Sequence, residues 1–191
     1  MKGDAIMKEL KDDIAYKRLE EKYDELLLDY ILLAADGEYK GEESHKEAVI
    51  EAIVCMRGRT RVGNRYDFDP FTVEEDQMRC KKIDTGEFFF EGNNGWVVPP
   101  EEIGLWPSAD QMNYWYAFSE PPYTIPYTVE DFRKINHMLF PVSQDDLEIY
   151  SWNDDFSDYF DDGKEWWGTA MWSVYDRNMG RFVVIGASLT D

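Results

Sequence analysis

The stretch WWGTAMWSVYDRNMGRFVVIGASL, residues 166–189, limits the fold of this chain more than any other. Two runs rich in β-branched and aromatic residues flank DRNMG, a turn-forming segment, and together they read as a β-hairpin. Both runs are apolar at successive positions, so neither face can be left to water. The pair therefore belongs in the middle of a sheet. LEIYSW at 147–152 and NYWYAF at 113–118 read as further short strands, and EFFFEGNNGWVV at 87–98 as a hairpin around Asn93-Asn94. Six of the eight prolines fall within 96–127, which reads as an ordered, ring-pinned loop layer around one strand.

The first third carries a helical period. Tyr16, Leu19, Tyr23, Leu26, Tyr30 and Leu33 recur at spacings of three and four, and Leu27, Ile31 and Ala34 widen the stripe. Asp36-Gly37 supplies a stop. Ser44 and Glu47 have capping-box spacing ahead of AVIEAIVCM, and Gly58 can close that second helix. Residues 4–57 thus read as an antiparallel helical hairpin. Two short cassettes, PFTVEED at 70–76 and PYTVEDF at 126–132, read as independent helix starts, with Thr72 and Thr128 as N-caps and acids in the first turn. The expected fold is α+β. An N-terminal helical hairpin (1–57) packs on an antiparallel sheet of roughly four to six strands. The sheet lies in a body (58–191) that ends in the C-terminal β-hairpin, and the whole forms one compact unit.

Charge bounds function. Forty acids against twenty bases leave a formal charge of −20. Such a field repels nucleic acid and anionic membranes and attracts basic proteins. The start MKGDAIMKELKDD has no apolar core of a secretory signal, and no run approaches the ~18–20 apolar residues of a membrane span, so the expected location is cytoplasmic. Two cysteines, Cys55 and Cys80, make neither a disulfide framework nor a metal spacing.

Motifs of catalysis and metal binding are missing. His45 and His137 are the two histidines and stand far apart. His45-Lys46-Glu47 matches the first half of a zinc-deaminase signature whose second half does not occur. The acidic stretch at 153–167 fails the calcium-loop template, because Phe160 would stand at loop position three and Thr169 where Glu is required. No nucleophile elbow, phosphate loop or dinucleotide fingerprint occurs. No cofactor and no metal are expected. A carboxylate pair for hydrolysis or group transfer can still assemble from distant residues. The rings of 96–127, Trp96, Trp106 and Trp115 among them, could stack on a sugar or peptide, but rings at irregular spacing also build an ordinary core.

The concentrated feature is NDDFSDYFDDGKEWW, residues 153–167. Set on a helix with Trp152 at zero, Phe156, Tyr159, Phe160, Trp166 and Trp167 fall between about 320° and 80°, and the acids between about 180° and 300°. Ser157, Gly163 and the Asp-Asp pairs argue instead for a turn-rich loop. Either way, Asp154, Asp155, Asp158, Asp161, Asp162, Glu165 and Trp166 form a candidate partner-binding set. Arg57, Arg59, Arg61 and Arg65 make the one basic island, a second contact or an internal counter-charge.

Three functional readings follow. The leading one is an acidic inhibitor that occupies the nucleic-acid-binding surface of a basic protein, with carboxylates standing in for phosphates. By charge and size it is analogous to anti-CRISPR, anti-restriction and toxin-immunity proteins. Its partner would be a nuclease or another nucleic-acid-binding enzyme, with no direct binding of nucleic acid or membrane. The alternatives are a small carboxylate-dependent hydrolase or transferase, and a structural or regulatory module that self-associates through the Tyr-Leu stripe.

Overall fold

A computed structural model describes residues 6–57, 71–89, 112–165 and 167–188. The strands are β1 (Ile6–Glu9), β2 (Asp29–Asp36), β3 (Cys80–Ile83), β4 (Leu147–Trp152), β5 (Thr169–Asp176) and β6 (Arg181–Ser188). They form one antiparallel sheet in the order β1-β2-β6-β5-β4-β3. The helices are α1 (Ile14–Lys22), α2 (Glu42–Arg57), α3 (Thr85–Phe89), α4 (Tyr114–Ser119), α5 (Val129–Leu139) and α6 (Asp161–Lys164), the last preceded by a 3-10 turn at Asp158–Phe160. The chain is α+β, as its pattern implies.

The hairpin β5–β6 sits at the centre because its residues are apolar on both sides. Trp172, Val174, Val183, Ile185 and Ala187 enter one core with α1, α3, α4 and α5. Met171, Phe182 and Val184 enter the other with α2 and the rings of Phe156 and Phe160. The turn is set by Asp176, whose Oδ1 accepts the N–H groups of Asn178 at 2.9 Å and Met179 at 3.1 Å. β2 follows the same two-sided rule: Tyr30 and Leu32 enter the first core, Ile31 and Leu33 the second.

β2 corrects the expected helical hairpin. The N-terminal region is strand–helix–strand–helix, and the stripe from Tyr16 to Leu33 is divided among α1, the connection at 23–28 and β2. A run of successive apolar residues satisfies a helical period and a two-faced strand equally well. Pairing with β1 and β6 decides for the strand. The stripe is therefore core on α1 and β2, not a continuous helical face. α2 is present but starts at Glu42, and Ser44 lies inside its first turn, where its Oγ accepts the Lys40 N–H at 3.0 Å instead of forming the expected box with Glu47.

NYWYAF is helix α4, not a strand. Asn113 caps it by accepting the Tyr116 N–H at 2.7 Å, and Tyr114 to Phe118 are all buried. Aromatic residues prefer strands only mildly, and a cap plus burial on every side overrides that preference. Glu87–Phe89 of the expected 87–98 hairpin lie in α3, and the remainder falls outside the described residues. Of the two Thr cassettes, the second starts α5 with a reciprocal Thr128–Asp131 capping box. The first starts no helix: Thr72 lies in an irregular segment that leads into a turn at 75–77.

Candidate functional site

The acidic stretch is a broken element: bends at 154–156, the 3-10 turn, then α6. The Ser157 hydroxyl caps the 3-10 turn by accepting the Tyr159 N–H at 3.1 Å. Gly163 permits the close return to the sheet. A Cβ there would stand 2.8 Å from Thr169 Cγ2 and 2.9 Å from Gly168 O and Ser188 Oγ. Phe156 and Phe160 are fully buried and Tyr159 nearly so. Burying each ring contributes roughly 1.5–3 kcal/mol, so the apolar side of the stretch is an anchor. Asp155, Asp158, Asp161, Asp162 and Glu165 are exposed and Asp154 is half-buried. The division into ring side and carboxylate side holds for Phe156, Tyr159 and Phe160 although no continuous helix makes it, whereas Trp167 packs on the other core and donates its indole N–H to Glu120 O at 2.9 Å.

Tyr159 crosses the sheet surface over Gly186 and donates its hydroxyl to Asp29 Oδ2 at 2.9 Å. A Cβ on residue 186 would come within 2.5 Å of that hydroxyl oxygen. Burial pushes the Asp29 carboxyl up to about 6, and the Tyr159 hydrogen bond draws it part of the way back.

A second acidic run lies alongside. Residues 71–79, which carry Glu74, Glu75 and Asp76, are sewn to the stretch by backbone and side-chain bonds. The Glu74 N–H donates to Phe156 O at 2.8 Å, and the Asn153 N–H to Arg79 O at 3.0 Å. The Asn153 side chain accepts the Arg79 N–H at 2.8 Å and donates to Gln77 O at 3.1 Å. The Thr72 N–H donates to Asp158 Oδ1 at 2.6 Å, and Phe71 meets Tyr159 edge-on with centroids 5.5 Å apart. Three carboxylates from one segment thus join six from the other. Among the described residues their counter-charges are few: Lys164 stands 3.8 Å from Asp155 and 4.0 Å from Asp161, and Lys46 stands 3.2 Å from Glu75. The Arg79 guanidinium donates to two backbone oxygens, those of Asp76 and Met78. Glu74 to Asp76 belong to the cassette read from sequence as a helix start. The cue that could have identified them is three successive acids with no base beside them.

The six acids of the partner-binding set are not equivalent. Asp158 caps a neighbouring backbone amide, and Asp154 accepts the Thr169 hydroxyl. Those two hold local structure, while Asp155, Asp161, Asp162 and Glu165 face water. Trp166, Arg59, Arg61 and Arg65 lie outside the described residues, and Arg57 is the last residue of α2. Beside the ridge a cleft of about 400 Å³ is lined by Arg79, Lys81, Ser151, Asp154, Asp155 and Thr169, among others.

The Ser–His contact of the described residues is a structural one. His45 Nδ1 lies 2.8 Å from Ser173 Oγ, and Nε2 lies 3.0 Å from the Tyr39 hydroxyl. Tyr39 is hydrogen-bonded to Glu148, which can only accept, so the Tyr39 oxygen accepts the Nε2–H. Nδ1 is then the bare nitrogen and takes the Ser173 proton, while the Trp152 indole donates to Ser173 at 2.8 Å. Burial pushes His45 down to about 3, which keeps the ring neutral. Glu148 is pushed up by burial, but bonds from Tyr39, Arg177 and Lys82 hold it below the usual carboxylate range. His45 and Ser173 are inaccessible to solvent, so no substrate reaches this pair. Among the described residues no group of His, Cys, Asp and Glu is arranged to hold a metal ion, and no helix is long and apolar enough to cross a membrane. No protein family, curated protein or solved structure matches the chain.

Proposed function

We propose that this protein is a binding inhibitor whose acidic ridge docks in the nucleic-acid-binding cleft of a basic partner protein. The observation that carries this reading is the joining of two acidic runs, distant in sequence, into one ring-anchored surface with few counter-charges among the described residues. Carboxylates at neighbouring positions take the place of phosphates and meet the Lys and Arg side chains that line such a cleft. The long-range field accelerates encounter, and salt screens it over a Debye length of ~8 Å at physiological ionic strength. The anchored backbone keeps the loss of freedom on docking small, because the segment is already held by its rings and by Asn153.

The test starts from a partner captured on the immobilised chain at low salt, followed by association rates across a salt series with and without competing duplex DNA. Binding should weaken steeply with salt, and DNA should compete. The quadruple variant Asp155→Asn, Asp161→Asn, Asp162→Asn, Glu165→Gln should lower the on-rate roughly tenfold or more while the fold is kept and the melting temperature does not fall. Affinity indifferent to salt, to DNA and to the quadruple variant would refute the proposal.

A further inference from the structure

At the turn end of the central hairpin, Asp176 and Arg181 stand directly opposite each other as the last pair of β5 and β6. Opposed residues of an antiparallel pair share a face of the sheet and bring their Cβ atoms within ~4.5–5.5 Å. That face is the one covered by α1 and α5: Trp172 and Val174 precede Asp176 on it, and Val183 and Ile185 follow Arg181. Both side chains are buried, Asp176 at 0% and Arg181 at 4% exposure. Arg181 Nη1 donates to Oδ2 of Asp13, whose Oδ1 caps α1 by accepting the Ala15 N–H at 2.7 Å. Arg181 Nη2 donates to Leu139 O, at the end of α5, at 2.8 Å. Two polar atoms are left over. Arg181 Nε has no partner among the described residues, and neither has Asp176 Oδ2, although Asp176 Oδ1 holds the two turn amides.

A buried donor and a buried acceptor on facing residues are complementary, yet they do not bond each other. Buried polar atoms of this kind are satisfied in folded proteins, by protein groups or by ordered water. The species that satisfies both must accept from Nε–H and donate to Oδ2 at once. A metal cation cannot accept and is repelled by the guanidinium. An anion is repelled by the carboxylates of Asp13 and Asp176. Water performs both roles, and bridges of this type are common where polar groups stand beyond direct reach. We propose that Arg181 Nε and Asp176 Oδ2 hold one internal water molecule between them. The guanidinium then binds in three directions and clamps the start of α1, the end of α5 and the β5–β6 turn together. The site lies on the face of the sheet away from the acidic ridge and is independent of the partner reading.

The experiment is a crystal structure of the intact chain at a resolution that shows ordered water, beside oxygen-17 relaxation dispersion, which counts long-lived internal waters in solution. The crystal should show one ordered water within about 2.5–3.2 Å of both Arg181 Nε and Asp176 Oδ2. Dispersion should count one long-lived water fewer in Arg181→Met than in the natural chain, because methionine fills much of the same space and has no donor. Arg181→Met also removes the bonds to Asp13 and Leu139, so where that variant does not fold the crystal structure of the natural chain decides alone. A direct bond between Nε and Oδ2, a crystal with neither bond nor water between them, or an unchanged water count in folded Arg181→Met would overturn the proposal.

Discussion

Two buried groups pull the acid stability of this protein in opposite directions. His45 is neutral in the folded chain, with its pKa pushed to about 3 by burial. The unfolded chain therefore binds that proton first, and stability from His45 is complete above about pH 6.5 and lost as pH falls below it, by up to about 1.4 kcal/mol per unit. Asp29 has the opposite sign: its folded pKa is raised to about 6, so its contribution is greatest below about pH 4 and is lost as pH rises through 6. Urea denaturation between about pH 7 and 5 should show a modest loss for the natural chain and a steeper loss for Asp29→Asn, which removes the compensating group. A His45→Gln variant should be less stable near neutrality, since the Ser173 and Tyr39 bonds are disturbed, yet should gain stability as pH falls from about 7 to 5, because Asp29 is then uncompensated. Parallel pH curves for all three chains would refute the assignment. Gly186 gives a second test at this scale. Gly186→Ala drives a methyl into the Tyr159 hydroxyl and should cost about 1–3 kcal/mol. Adding Tyr159→Phe removes the closest contact and should cost less than the sum of the two single changes.

The elements legible in the sequence are those whose pattern admits one structure. β4, β5 and β6 stand where the apolar runs 147–152 and 166–189 put them, and α5 starts at the Thr128 cap because the cap, the first-turn acids and the following apolar spacing agree. β2 and α4 were not legible: Tyr30 to Ala35 satisfies both periods, and Tyr114 to Phe118 is buried all round, so neither carries a polar face that would reveal its geometry. The ridge was half legible. The ring and carboxylate sides of 153–165 follow from residue order, but its union with 71–79 depends on hydrogen bonds between backbones far apart in sequence. Asn153 is the stitch, since its side chain bonds both Arg79 and Gln77. Asn153→Ala should cost about 1–3 kcal/mol and speed amide exchange across 71–79 more than in β5 and β6. A uniform change in exchange over the whole sheet would mean that the stitch is not local.

For the whole molecule the decisive quantity is the charge of −20. Like charges spread over one chain oppose folding, because the unfolded chain separates them. Many of the described ion pairs, such as Lys17–Asp12 and Lys81–Glu87, are exposed and contribute little against that repulsion. Monovalent salt screens both the repulsion within the chain and the attraction between the ridge and a basic partner. The two therefore respond to salt with opposite sign. Raising sodium chloride from about 0.05 to 0.5 M should raise the melting temperature by several degrees, while association with the partner slows steeply. The quadruple neutral variant of the ridge separates local from global charge. If repulsion is concentrated where the two acidic runs meet, that variant should be more stable than the natural chain at low salt, and its melting temperature should depend less on salt. A variant of equal stability with an unchanged salt slope would place the repulsion elsewhere on the surface. The ridge would then be a set of well-separated solvated charges, and its carboxylates would be held at no energetic expense to the fold.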